Sequence, residues 1–370
     1  MSGFRQAAAN IRANADAFKI FAGLDGYVDE IIHVVEKRHG TKVDDYTRYE
    51  KIADYGQKIV EAGGLSANFE MMPIQVKLGG NGPIFANAML GLGAAVTYCG
   101  KLGYPDIHPV FKPMADHPHC NVISRWNPAH TDALEFMDGK LIIGKMRVVY
   151  EITWESVLAA VGGIDQLRRH VLESGLIGML NWTMLPFMDD ILEGIIENVL
   201  PHIDKNHRPY FFFDIADPGK RTDDDIRKVL GIMVRLNKHF KVVLGLNEKE
   251  ALRVASVLGV DKPENLAYDH LCNAMYGKLD IYCLVVHPVK SAFAQTADGY
   301  AHVKGPYCEN PVLTTGAGDN FNAGFCLGLL CGLNLEEALM AGVSNSGFYV
   351  RNGRSAEIAE LTEFMDSLEN

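Results

Sequence analysis

The chain has 370 residues, 48% hydrophobic and 22% charged, with a formal net charge of −11. That composition is ordinary for a globular protein and speaks against disorder. The acidic balance speaks against sequence-independent nucleic-acid binding, which rests on neutralising phosphates with Lys and Arg.

The first residues, MSGFRQAAANIRANADAF, lack the apolar core of a signal peptide. No run approaches the ~18 to 20 apolar residues needed to cross a bilayer, so neither a membrane partner nor an exported form is expected. The 7 cysteines are scattered and include no C-x-x-C pair, which suits reduced thiols and a cytoplasmic location.

In chain order, a strand is predicted over Phe18–Leu24. An inserted helix follows in Asp44–Gly63, then a helix over Gly82–Leu92 and a strand over Ala95–Cys99. The stretch Ala133–Val149 alternates around Asp138-Gly139, a strong hairpin signal. Beyond it, a helix over Ser156–Leu172 precedes alternating elements: strand Leu176–Leu180, helix Phe187–Leu200, strand Pro209–Ile215 and helix Thr222–Asn237. The series closes with strand Val242–Leu246, helix Glu248–Val257 and strand Ile281–Val286. This rhythm predicts an α/β fold, a doubly wound, mostly parallel sheet with helices on both faces. Ligands of such sheets bind beyond the carboxyl ends of the strands, where Asp29, Asn181, Asp214 and Asn247 fall.

Several nucleotide and metal signatures fail. None of the Gly-Lys pairs at Gly100, Gly139, Gly144, Gly219 and Gly277 is followed by Ser or Thr, so there is no P-loop. Val96 and Phe321 occupy the last position of the two G-x-G-x-x-G/A candidates, which removes the dinucleotide fingerprint. Asp116-His117-Pro118-His119-Cys120 reads as a surface turn, and Thr222-Asp223-Asp224-Asp225 as a capped helix start.

Three motifs hold. TTGAGDNFNAGF (Thr314 to Phe325) joins glycines to a helix start, an anion site, and places the carboxylate of Asp319 there. A carboxylate beside a phosphate site is costly unless it has a task, such as taking a proton from an attacking hydroxyl. KLGGNGPIFANAMLGLG (Lys77 to Gly93) sets Gly79, Gly80 and Asn81 before a helix, where an amide beside exposed backbone suits hydroxyl groups. In Asn247-Glu248-Lys249-Glu250, Asn247 and Glu250 make either a capping box or a pair that organises a hydrated Mg²⁺.

In their order and separation these motifs are similar to those of the PfkB (ribokinase-like) family of carbohydrate and nucleoside kinases, over roughly Ile20 to Glu357. The resemblance implies a single kinase domain over residues 1–370 with a small β-rich lid, drawn from about 25–45, 70–80 and 120–150. It implies transfer of the γ-phosphoryl group of ATP to a hydroxyl of a small sugar or polyol, with Mg²⁺ and, as a further candidate, a monovalent cation. Asp319 would be the base, with Gly316, Ala317 and Gly318 the anion hole. Asn247 and Glu250 would place Mg²⁺ through water, with Asn247 and Thr315 on the nucleotide. Gly80, Asn81 and Asp29 would meet the sugar, with Asp25 the second candidate aspartate. A homodimer through the lid is the assembly it suggests.

The chain departs from that pattern at Leu313, where the family usually carries an aspartate, and in VVHPVKSAF (Val285 to Phe293), where Pro288 and Ser291 replace glycines. Two other readings therefore stay open. A nucleoside kinase would use Tyr27, Trp126, Phe136 or Trp182 as a base platform. The other is a catalytically silent sugar- or nucleotide-binding regulator.

Overall fold

The computed structural model describes residues 3–203 and 208–368. Its strands are β1 (Lys19–Leu24), β2 (Tyr27–Arg38), β3 (Tyr46–Arg48), β4 (Met71–Gly79), β5 (Ala95–Gly100), β6 (Cys120–Ile123) and β7 (Ala129–Glu135). They continue as β8 (Lys140–Lys145), β9 (Leu176–Leu180), β10 (Tyr210–Asp214), β11 (Lys241–Leu246), β12 (Cys283–Val286), β13 (Ser291–Thr296) and β14 (Gly299–Lys304).

Nine strands form the large sheet in the order β14-β13-β12-β11-β10-β9-β1-β5-β6. Those from β6 to β12 run parallel, and β13 and β14 close one edge antiparallel. Side chains of a strand alternate between faces, so a buried strand must be apolar on both. In β10, Phe211 and Phe213 enter one core while Phe212 enters the other. Helices Trp154–Val161, Met188–Asn198 and Asp223–Leu236 cover the first core. Helices Gly3–Asn14, Asn81–Gly91, Ala317–Leu330 and Leu335–Asn352 cover the second. The expected α/β architecture is therefore present.

A second sheet runs β3-β2-β7-β8, with β4 on the other side of β2. The Asp138-Gly139 hairpin forms β7 and β8, and the alternation past Lys145 leaves the sheet as a 3₁₀ turn, Arg147–Glu151. Of the 120–150 stretch, Cys120–Ile123 is the edge of the large sheet, paired with β5. Helix Ile52–Glu61 lies within the inserted segment. Its Tyr55 joins Ile32, Val34, Tyr49, Leu134 and Phe136 in a third core confined to the small sheet. The hairpin turn caps this helix, Ile52 N–H donating to Asp138 Oδ1 at 3.0 Å. Fully buried Lys101, at the end of β5, reaches Glu151 at 3.1 Å and ties the return of the small sheet to the large one.

One predicted helix is wrong as drawn. Ser156–Leu172 is two helices, Trp154–Val161 and Ile164–Glu173, because Gly162 and Gly163 take φ of 90° and 99°. An amphipathic pattern runs on through two glycines, but the left-handed backbone they permit turns the chain.

Candidate active site

The carboxyl ends of the parallel strands converge with the glycine-led helix starts of Asn81–Gly91 and Ala317–Leu330. Asp25, in the turn from β1 to β2, is fully buried. Its Oδ1 accepts from Gly82 N–H at 3.0 Å and from Tyr98 Oη at 3.2 Å, and its Oδ2 accepts from Asn181 Nδ2 at 2.7 Å. Burial nevertheless pushes this carboxyl up to about 6. Asp25 borders neither of the two cavities described below and anchors the glycine loop from behind.

Asp29 lies on the open face of the small sheet, in register with Lys77 of β4. Burial raises its pKa while Lys77 and the Thr131 hydroxyl oppose the shift. The paired glycines at the end of β4 make room for both aspartates. A Cβ at Gly79 would stand 2.4 Å from the Asp29 carboxylate, and one at Gly80, where φ is 96°, 2.7 Å from Asp25 Oδ2.

Asp319 sits in the first turn of helix Ala317–Leu330, buried, with Oδ1 lacking any hydrogen-bond partner. Burial and then the charges of Asp214 and Asp25 hold its pKa well above the ordinary carboxylate range. Asp214, at the end of β10, accepts from Ala216 N–H at 2.8 Å and Asn322 Nδ2 at 2.9 Å. The Asn81 amide lies beside Asp214 and Asp319 and favours their charged forms. Glu250 is raised to about 9 by burial and by Asp214. Neutral amides are thus the main partners of these buried carboxyls, and among the described residues no Lys or Arg is bonded to them.

Two cavities open here. The larger, about 600 Å³, is bordered by Asn247, Glu250, His287, Thr314, Gly318 and Asp319 among others. The smaller, about 220 Å³, is bordered by Asp29, Lys77, Gly80, Asn181, Lys220 and Thr315 among others. Asn81 borders both. Ala317 and Gly318 are on the larger cavity, but Ala317 N–H turns back to Thr314 O at 3.1 Å. The Gly318 N–H, by its place in the first turn, has no intrahelical acceptor. Gly316 is the N-cap, and Thr315 carbonyl accepts from Tyr349 Oη at 2.7 Å. Thr315 borders the smaller cavity, and its neighbour Thr314 the larger.

Asn247 and Glu250 form the capping box, Asn247 Oδ1 accepting from Glu250 N–H at 3.0 Å and Glu250 Oε2 from Asn247 N–H at 2.9 Å. Both border the larger cavity, so capping does not remove them from it. Among the described residues no group of three or more His, Cys, Asp or Glu side chains is close enough to cage a metal. The side-chain donors of Asp214, Asn247, Glu250 and Asp319 are oxygens, and the Asp319 Oδ1 is orphaned. That set fits a hard ion held through water and ligand oxygens rather than by the protein alone. The Thr222 start is a capping box with Asp225, as its composition suggested.

Asn181 and Asp214 were visible in the sequence only as strand-end residues. Asn181 holds φ 60°, ψ 40°, and its buried Oδ1 has no partner while the residue borders the smaller cavity. Asparagine is among the residues that tolerate this left-handed backbone, so what distinguishes the position is its unmet acceptor. Of the four candidate aromatics only Tyr27 borders that cavity. Phe136 is in the small-sheet core, and Trp126 and Trp182 are in the first core of the large sheet.

The model of the prokaryotic ketohexokinase family matches residues 2–368. A ketohexokinase of Haloferax volcanii is 28% identical over 352 residues, covering 94% of this chain and 91% of that protein. A carbohydrate kinase from Agrobacterium tumefaciens superposes with a TM-score of 0.64 at 15% identity, covering 95% of this chain and 98% of that one. Arabidopsis thaliana ribokinase, solved with ribose and ATP, gives 0.63 at 16% identity over 96% and 100% of the two chains. The two structures share the fold. No described helix is long and apolar enough to cross a membrane. The full-length family match, on a ribokinase-like fold whose three motifs meet at one site, places the chain in the prokaryotic ketohexokinase family of sugar phosphotransferases.

Proposed function

We propose that this enzyme transfers the γ-phosphoryl group of ATP to a hydroxymethyl group of a ketohexose. The observation that carries the reading is the meeting of the two cavities at Asn81, beside Asp319. The acceptor occupies the smaller cavity. There Asp29, Asn81 and the unmet Asn181 Oδ1 accept hydrogen bonds from hydroxyls, and Lys77 donates. The ketohexose comes from the relatives' names; the lack of a second aromatic on this cavity supports a sugar over a nucleoside.

The nucleotide occupies the larger cavity, its phosphates directed at the start of helix Ala317–Leu330. The Gly318 N–H and the helix dipole favour the charge on the transferring group. Asp319 accepts the acceptor's proton. Its raised pKa makes it a stronger base than an exposed carboxylate once the site holds it ionised. Asn247 and Glu250 would hold Mg²⁺ through water, and the ion would supply charge neutralisation for the phosphates. The small sheet serves as the lid that keeps water, a competing acceptor, from the site.

A coupled assay for ADP release across ketohexoses, other sugars, polyols and nucleosides tests the assignment. Asp319→Asn should lower kcat by about 100-fold or more, with fructose and MgADP still bound. Unchanged turnover would remove Asp319 as the base. Preferred turnover of a nucleoside would overturn the acceptor assignment.

A further inference from the structure

Beyond the Mg²⁺ proposed above, the described lining of the larger cavity offers its ligand no permanently charged cation. Its described lining contains Asp214, Glu250, Glu309 and Asp319 and neither Lys nor Arg. A nucleotide's phosphates add further negative charge, and like charges in a poorly solvated site repel strongly. Lys290, near the rim, lies over the Tyr307 ring, 4.8 Å from its centroid. The single lining side chain that can become cationic is His287.

His287 follows β12 directly, in the segment where the chain departs from the family pattern. Its main-chain N–H donates to Leu246 O at 2.9 Å, which fixes the residue against the end of β11. Its ring stacks on Phe321 with centroids 4.6 Å apart and planes at 28°. The same ring lies beside the helix start, Cε1 standing 3.4 Å from the point where a Gly318 Cβ would be. Its ring contacts its own main chain, and among the described residues no other residue hydrogen-bonds to it.

We propose that His287 is a nucleotide-binding residue whose ring N–H donates to a phosphate oxygen held at the start of helix Ala317–Leu330. The proposal rests on the assignment of the larger cavity to the nucleotide. In the unliganded site burial pushes the imidazole down to about 4, so it is neutral there. A phosphate anion reverses that balance, because an opposite charge in contact favours the protonated ring. Nucleotide binding then draws a proton onto His287, against a background set by the groups facing the cavity. These are Asp319 on its helix, Asp214 on β10, Glu250 on its helix, and Tyr307, Cys308 and Glu309 in the loop after β14.

The test is calorimetric titration of MgADP into the full chain in two buffers of different protonation enthalpy. Wild type is compared with His287→Gln, which cannot become cationic, and His287→Phe, which keeps the stack on Phe321. Both variants should bind MgADP about tenfold or more weakly. Both should also show smaller proton uptake, with acceptor KM within about twofold of wild type. A Kd within twofold in a variant of unchanged Tm, or unchanged proton uptake, overturns the proposal. His287→Gln carries the test alone should the Phe variant fold poorly. Failure of wild type itself to bind MgADP would instead overturn the nucleotide assignment beneath it.

Discussion

A carboxylate that must take a proton from a hydroxyl benefits from surroundings that resist its ionisation. Asp319, Asp214 and Glu250 share such surroundings, and the fold bears a stability cost for it. For Glu250 the sign follows from a pKa near 4.5 in the open chain and about 9 in the fold. The folded state binds the extra proton, so the cost is absent below the lower value and grows as pH rises toward the upper one. Glu250→Gln keeps an acceptor for the capping box and should raise Tm by about 2–5 °C at pH 8 and by little at pH 4, read by calorimetry without ligands. No gain at pH 8 would mean that Glu250 is not held against its charge. Asp319 could be singled out in the sequence because its glycines and helix start are consecutive. The ranking of Asp29 ahead of Asp25 rested on the family resemblance alone. Their difference is which one turns toward Gly82, Tyr98 and Asn181, contacts up to 156 residues away.

At the scale of elements, strands such as YFFFDI announced themselves because burial on both faces requires continuous apolar sequence. Capping boxes at Thr222 and Asn247 were equally local. What escaped was non-local. The pairing of β6 with the large sheet depends on a partner, not on four residues of its own. The role of the Asp44–Gly63 insertion depends on a core it completes elsewhere: Tyr55 stacks near Phe69, Tyr49 and Phe136 at 5.1, 5.6 and 5.7 Å. Because that core is separate from the two beneath the large sheet, damage to it should stay local. Tyr55→Ala should speed hydrogen exchange in β2 and β7 and lower kcat/KM for the acceptor about tenfold. β9 to β11 and MgADP affinity should be unchanged. Exchange that rises equally in both sheets would show that the small sheet has no cohesion of its own.

Across the whole molecule, the two cavities have one wall in common. Among the described residues only Asn81 lines both. Whatever one occupant does to that amide is felt by the other, and thermodynamic reciprocity requires the effect to be equal in both directions. The factor by which the sugar changes MgADP affinity should equal the factor by which MgADP changes sugar affinity. Asn81→Ala should bring both factors close to one, measurable by calorimetry with either ligand pre-bound. A coupling that survived the substitution would have to run through some other path. If it disappears, the enzyme's two specificities are a single negotiated property, and selection on the choice of sugar cannot leave the hold on nucleotide untouched.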